Sequence, residues 1–150
     1  MSASRTFHFD RYMLRPVDET DRTFAIHWTL ADPDHKDLTA PDFWLEQTST
    51  RDSYMLLDAE GRVFFLKLIQ TGADSVDIHI QFAPEYTREQ ALRVGRALMV
   101  GLDWLEGKLR DHGVSHLAFD SHSQGLVSFA VKKLNFSKTK DFRLEKEIGV

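Results

Sequence analysis

Val76-Asp77-Ile78-His79-Ile80-Gln81-Phe82-Ala83 opens the stretch whose reading decides the fold, which closes on Leu134-Asn135-Phe136. Its alternation puts Val76, Ile78, Ile80 and Phe82 on one face of a strand and Asp77, His79 and Gln81 on the other. Thr87 with Gln90 three residues on is a capping box, so a long helix is expected from Thr87 to Asp111. Ala91, Leu98, Leu102, Leu105 and Leu109 give that helix an apolar stripe, and His112-Gly113 ends it. Val114 to Ser121 reads as a second strand and Gln124 to Leu134 as a second helix. Strand, helix, strand is a βαβ unit, whose two strands are expected to lie parallel in one sheet.

Upstream, Arg5 to Arg15 alternates Phe7 and Phe9 with polar residues and reads as one strand ended by Pro16. Asp18, with Asp21 three residues on, caps a helix expected to run to about Leu30. Asp32-Pro33-Asp34-His35-Lys36-Asp37 is loop chemistry, and a short helix is expected from Thr39 or Ala40, with Phe43, Trp44 and Leu45 on its buried side. Tyr54 to Leu57 and Val63 to Ile69 flank Asp58-Ala59-Glu60-Gly61 as a hairpin, the second strand apolar enough to be covered on both faces. Downstream, Phe136 to Lys140 and Phe142 to Glu147 read as two last strands. The fold class is therefore α+β, a mixed sheet flanked by helices on both faces, in one domain over residues 1–150.

Composition narrows the function classes. Apolar residues make up 42% and aromatics 11%, enough for an independent core. A formal charge of −4 gives no footprint for a phosphate backbone, so nucleic acid is not an expected partner. No apolar run is long enough to span a bilayer and the start has no secretion-signal core, so a cytoplasmic, membrane-free protein is expected. There is no cysteine, which excludes disulfides, thiolate metal sites and a cysteine nucleophile.

The whole order of elements resembles the GNAT superfamily of acetyl-CoA-dependent N-acetyltransferases. The residues that carry the likeness are Leu14-Arg15-Pro16-Val17-Asp18-Glu19, the Ala-Pro-Glu-Tyr at 83–86, Val94-Gly95-Arg96-Ala97-Leu98 and Lys132-Lys133-Leu134-Asn135-Phe136. The resemblance implies acetyl-CoA as cofactor and attack of an amine, from a small molecule or a protein, on its thioester. It implies that the fourth and fifth strands splay apart to admit the pantetheine arm. The free amides of Ile80, Gln81, Phe82 and Ala83 would then meet the arm. The family's pyrophosphate motif, Gln/Arg-x-x-Gly-x-Gly/Ala, falls on Gln90-Ala91-Leu92-Arg93-Val94-Gly95, so Arg88, Gln90, Arg93, Val94 and Gly95 are the expected diphosphate contacts. The middle glycine is replaced by Arg93, and the capping box places Gln90 already inside the helix. The helix pattern that supplies the family's general acid maps onto Gln124, Val127, Val131, Asn135 and Phe136. Gln124 stands with the cofactor contacts, but Val131 cannot donate a proton, which leaves Ser128, one turn away, as the substitute acid. His79, on the polar face of the fourth strand, is the expected base.

Three other readings stand beside this one. Asp120, Ser121, His122 and Ser123 invite a hydrolase, without a Gly-x-Ser-x-Gly turn to support it. His112, His116, His122 and Asp120 lack metal-ligand spacing, so no metal is expected. The departures at Val131 and Arg93 favour a GNAT-like domain without catalysis, serving as a binding or assembly module. Asp32, Asp34 and Asp37 fall where the resemblance puts the acceptor, and they would attract a cationic amine. A homodimer is left open.

Overall fold

The computed structural model describes residues 5–34, 41–85 and 87–149. The elements are β1 (Phe7–Phe9), β2 (Tyr12–Pro16), a 3-10 turn (Glu19–Asp21), α1 (Arg22–Ala31), α2 (Pro41–Leu45), β3 (Arg51–Asp58), β4 (Gly61–Gln70), β5 (Ser75–Phe82), α3 (Arg88–Asp111), β6 (His116–Asp120), α4 (Gln124–Lys133), β7 (Ser137–Lys140) and β8 (Arg143–Glu147). Eight strands form one mixed sheet in the order β1-β2-β3-β4-β5-β6-β8-β7. All neighbours are antiparallel except β5 and β6, the two strands of the βαβ unit.

The first strand expected from the sequence is in fact two. Asp10 turns at φ 50°, a left-handed conformation that Asp tolerates, and Phe7–Phe9 folds back on Tyr12–Leu14 as a hairpin. The helix expected from Asp18 starts as a 3-10 turn, because Asp18 and Asp21 cap each other's backbone there, and α1 proper begins at Arg22. The expected start of α2 at Thr39 or Ala40 lies outside the described residues, as do Asp37 and Tyr86.

Alternation along the strands divides the core into two. Leu14, Leu56, Phe64, Leu66, Ile78 and Leu117 face α3 and α4, meeting Leu98, Leu102, Leu105, Ala130 and Leu134. Met55 and Phe65 face the other way, against Val17, Ala25, Trp28 and Trp44. Each fully buried side chain of this size contributes roughly 1.5–3 kcal/mol. Under α1, the Asp21 carboxylate is fully buried yet bonded by Arg15 at 2.7 and 2.8 Å and by Arg62 at 2.8 Å. No helix among the described residues is long and apolar enough to cross a membrane.

Candidate functional site

The pairing of β5 with β6 covers three rungs only: Ser75 with His116, Val76 with Leu117 and Asp77 with Ala118. Beyond Asp77, β5 runs on to Phe82 and β6 to Asp120 without pairing to each other. A cavity of about 650 Å³ opens in this wedge and reaches both faces of the sheet. That volume suits a small-molecule ligand.

The two mouths differ in chemistry because strand alternation sorts the side chains. On the α3/α4 side the lining is apolar: Ile78, Ile80, Leu98, Leu102, Leu126 and Leu134. On the α1/α2 side it is aromatic and polar: Trp28, Phe43 and Trp44 with His79, Gln81, Asp32 and Asp34. The same alternation sorts the β5 amides. Ala83 N–H donates to Val63 carbonyl at 2.9 Å, so the N–H groups of Gln81 and His79 also point to β4, while that of Ile78 serves the Asp77–Ala118 rung and those of Ile80 and Phe82 point to the gap. Of the four residues expected to offer free amides, Ile80 and Phe82 turn theirs towards the gap, while the amides of Gln81 and Ala83 are turned to β4. The side chain of Gln81 is buried and ties the walls together, its Nε2 donating to Asp32 at 3.0 Å and to the Phe82 carbonyl at 3.2 Å.

His79 is half-buried on β5, opposite Lys67 of β4. The Phe43 ring of α2 meets its imidazole edge-on at 5.4 Å between centroids. Lys67, inside what reads as an apolar strand, is fully buried, its ammonium 4.0 Å from the same Phe43 ring. It donates to the Phe43 carbonyl and to Glu46 at 3.0 Å. Burial pulls the Lys67 ammonium below its usual range, and Glu46 offsets part of that pull. Thus α2 is bolted to the sheet beside His79. Lys67 and Glu85 escaped sequence reasoning as site residues, since a lone Lys in a strand carries no signal and Glu85 stood only as part of the Ala-Pro-Glu-Tyr stretch. Glu85 lines the cavity, and partial burial raises its carboxyl above the usual range although the residue as a whole stays exposed.

The start of α3 carries the capping box expected from Thr87 and Gln90. Thr87 Oγ1 accepts from Gln90 N–H at 3.2 Å, and Gln90 Oε1 accepts from Thr87 N–H at 3.0 Å. Ala91 N–H already donates to the Thr87 carbonyl at 3.1 Å. The amides of Gln90, Arg93, Val94 and Gly95 are therefore taken up in the cap and the helix, which leaves those of Arg88 and Glu89 in the first turn. Arg93 points elsewhere: it donates to Asp58 at 2.6 and 2.7 Å and to the Gly61 carbonyl at 3.1 Å, tying α3 to the β3–β4 turn. Val94 is buried in the core.

On α4, Ser128 is half-buried and does not line the cavity, Val131 is exposed, and Gln124 is exposed at the first helical position. The α4 contribution to the wedge comes instead from Ser123, Leu126 and the flanking Leu134. The Ser121 hydroxyl accepts from Ser123 N–H at 3.1 Å, and His122 stacks on Phe142 at 3.9 Å, so neither forms a nucleophile–base pair. Among the described residues no group of three or more His, Asp or Glu side chains could hold a metal ion.

No protein-family model matches this sequence, and no curated protein does either. Solved structures do match in fold. The ribosomal-protein-S18-alanine N-acetyltransferase from Escherichia coli superposes with a TM-score of 0.67 at 18% identity, covering 93% of this chain and 95% of that one. Spermidine N-acetyltransferase from Vibrio cholerae, in complex with CoA and spermine, gives 0.68 at 10% identity, covering 91% and 95%. A ribosomal L7/L12 alpha-N-protein acetyltransferase in complex with CoA gives 0.65 at 9% identity, covering 95% and 98%. The chain thus has the GNAT fold that the order of its elements implied.

Proposed function

We propose that this chain is an N-acetyltransferase whose donor is a pantetheine thioester, acetyl-CoA, and whose acceptor is an amine entering from the α1/α2 face. The observation that carries the reading is the wedge between β5 and β6, which joins an apolar mouth to a polar one beside His79. A thin amide-bearing arm lying on the apolar side would find the N–H groups of Ile80 and Phe82 pointing at it. The amine would approach from the side of Trp28, Phe43, Asp32 and Asp34, where carboxylates favour a cation.

Transfer needs the amine nitrogen to attack the thioester carbonyl. A C–N bond forms, the C–S bond breaks, and the nitrogen loses a proton. His79 is the proposed acceptor of that proton, held in place by Phe43. No acid is assigned on α4, since Ser128 and Val131 do not line the cavity. A thiolate is a good enough leaving group to depart without one, its conjugate acid having a pKa of roughly 8.5. Those solved neighbours that carry CoA support the choice of donor. A cytoplasmic setting goes with this reading.

The test is thermal shift and calorimetry with acetyl-CoA, followed by mass spectrometry of acetylated polyamines and N-terminal peptides. Ligand at one hundred times Kd is expected to stabilise the fold by about 2.7 kcal/mol. Absence of any shift would sink the enzyme reading and favour the second one, a cofactor-free binding or assembly module. The closed capping box of α3 is the observation on that side.

A further inference from the structure

We infer that the site recognises an S-acyl pantetheine arm on its own account and gains little from the nucleotide to which the arm is attached. This rests on the donor assignment above and refines it. The two ends of such a donor make opposite demands. The arm is thin and carries amides and methylenes, so it needs a cleft with apolar walls and exposed backbone N–H groups. The nucleotide end is a polyanion, so it needs several convergent N–H groups or cations.

The wedge meets the first demand. Beyond Asp77 the edge of β5 is unpaired, with the N–H groups of Ile80 and Phe82 turned into the gap and Leu98, Leu102 and Leu126 forming the wall. The start of α3 does not meet the second. Its capping box uses the Gln90 N–H on the Thr87 hydroxyl and the Thr87 N–H on the Gln90 side chain. Two first-turn amides remain, those of Arg88 and Glu89. The basic residue that falls inside the motif, Arg93, is committed to Asp58. In sequence, Arg88 stands between Glu85 and Glu89. The described residues lining the cavity include no Lys or Arg, and Asp32 and Asp34 belong to its opposite, α1/α2 mouth. A polyphosphate at this helix end gains two amides and finds no cluster of converging cations.

The experiment compares acetyl-CoA, S-acetyl-pantetheine and adenosine 3′,5′-bisphosphate by calorimetry on the full chain, and repeats acetyl-CoA with Arg88→Glu. S-acetyl-pantetheine is expected to bind within about tenfold of acetyl-CoA, the bisphosphate not to compete, and Arg88→Glu to change acetyl-CoA affinity by less than about threefold. A gap of more than tenfold in favour of acetyl-CoA, or competition by the bisphosphate, overturns the inference while leaving the acetyltransferase reading intact. No binding by either thioester overturns both.

Discussion

Arg143 on β8 reaches across β6 to Asp77 on β5, donating to the carboxylate at 3.1 and 3.3 Å. Asp77 is the last β5 residue paired with β6, so the contact sits at the apex of the wedge. The same guanidinium lies 3.4 Å from Asp120, at the far end of β6. One cation thus braces both strands where they part. Arg143→Met is expected to lower stability by about 1 kcal/mol, the upper end for a half-exposed pair, and to weaken acetyl-CoA binding severalfold as the opening loses its brace. Denaturant titration and calorimetry check this; unchanged affinity with reduced stability would assign Arg143 a purely structural role.

His79→Ala is expected to reduce turnover by about a hundredfold or more, the usual range for a positioned base, while acetyl-CoA affinity stays as it was. Steady-state kinetics and calorimetry separate the two. Turnover that survives the substitution would remove His79 and turn attention to Glu85, another proton acceptor on the cavity wall.

Glu46 and Lys67 make an asymmetric pair: the lysine is fully buried, whereas the glutamate is partly exposed and also meets Arg51 at 3.1 Å. Glu46→Ala strands a buried ammonium and is expected to cost roughly 3 kcal/mol. Lys67→Met leaves the glutamate in contact with Arg51 and water and is expected to cost less. Urea melts of both variants decide it, and equal losses would contradict the assignment of the cost to the buried charge.

His116 lies between Glu147 and Glu145, which hold its imidazolium and raise its pKa. A group whose folded pKa lies above its unfolded value stabilises fully below the unfolded value and loses that contribution as pH rises through the folded one. The melting temperature is therefore expected to fall above about pH 6.5, and His116→Gln should flatten that part of the profile. A slope identical in wild type and variant would assign the effect to another group.

Much of this was legible because it is local. The Thr87–Gln90 capping box is formed by near neighbours, and the alternation of Val76 to Phe82 needs no partner to be read. What escaped was tertiary. Arg93 reads as a phosphate ligand until Asp58, 35 residues away in sequence, takes it. Lys67 reads as a break in an apolar strand until α2 closes over it. Leu98 and Leu102 read as ordinary helix core, and they line a cavity only because β5 and β6 diverge. The turn at Asp10 was missed because a left-handed aspartate leaves no mark on an alternating pattern.

The central claim is that the unpaired edge of β5 receives the thioester arm. Amide hydrogen exchange measured by NMR, with and without saturating acetyl-CoA, tests it directly. Exchange at Ile80 and Phe82 is expected to slow on binding, while Gln81 and Ala83, already turned to β4, change little. Rates at Ile80 and Phe82 that stay the same under saturating ligand would contradict the account.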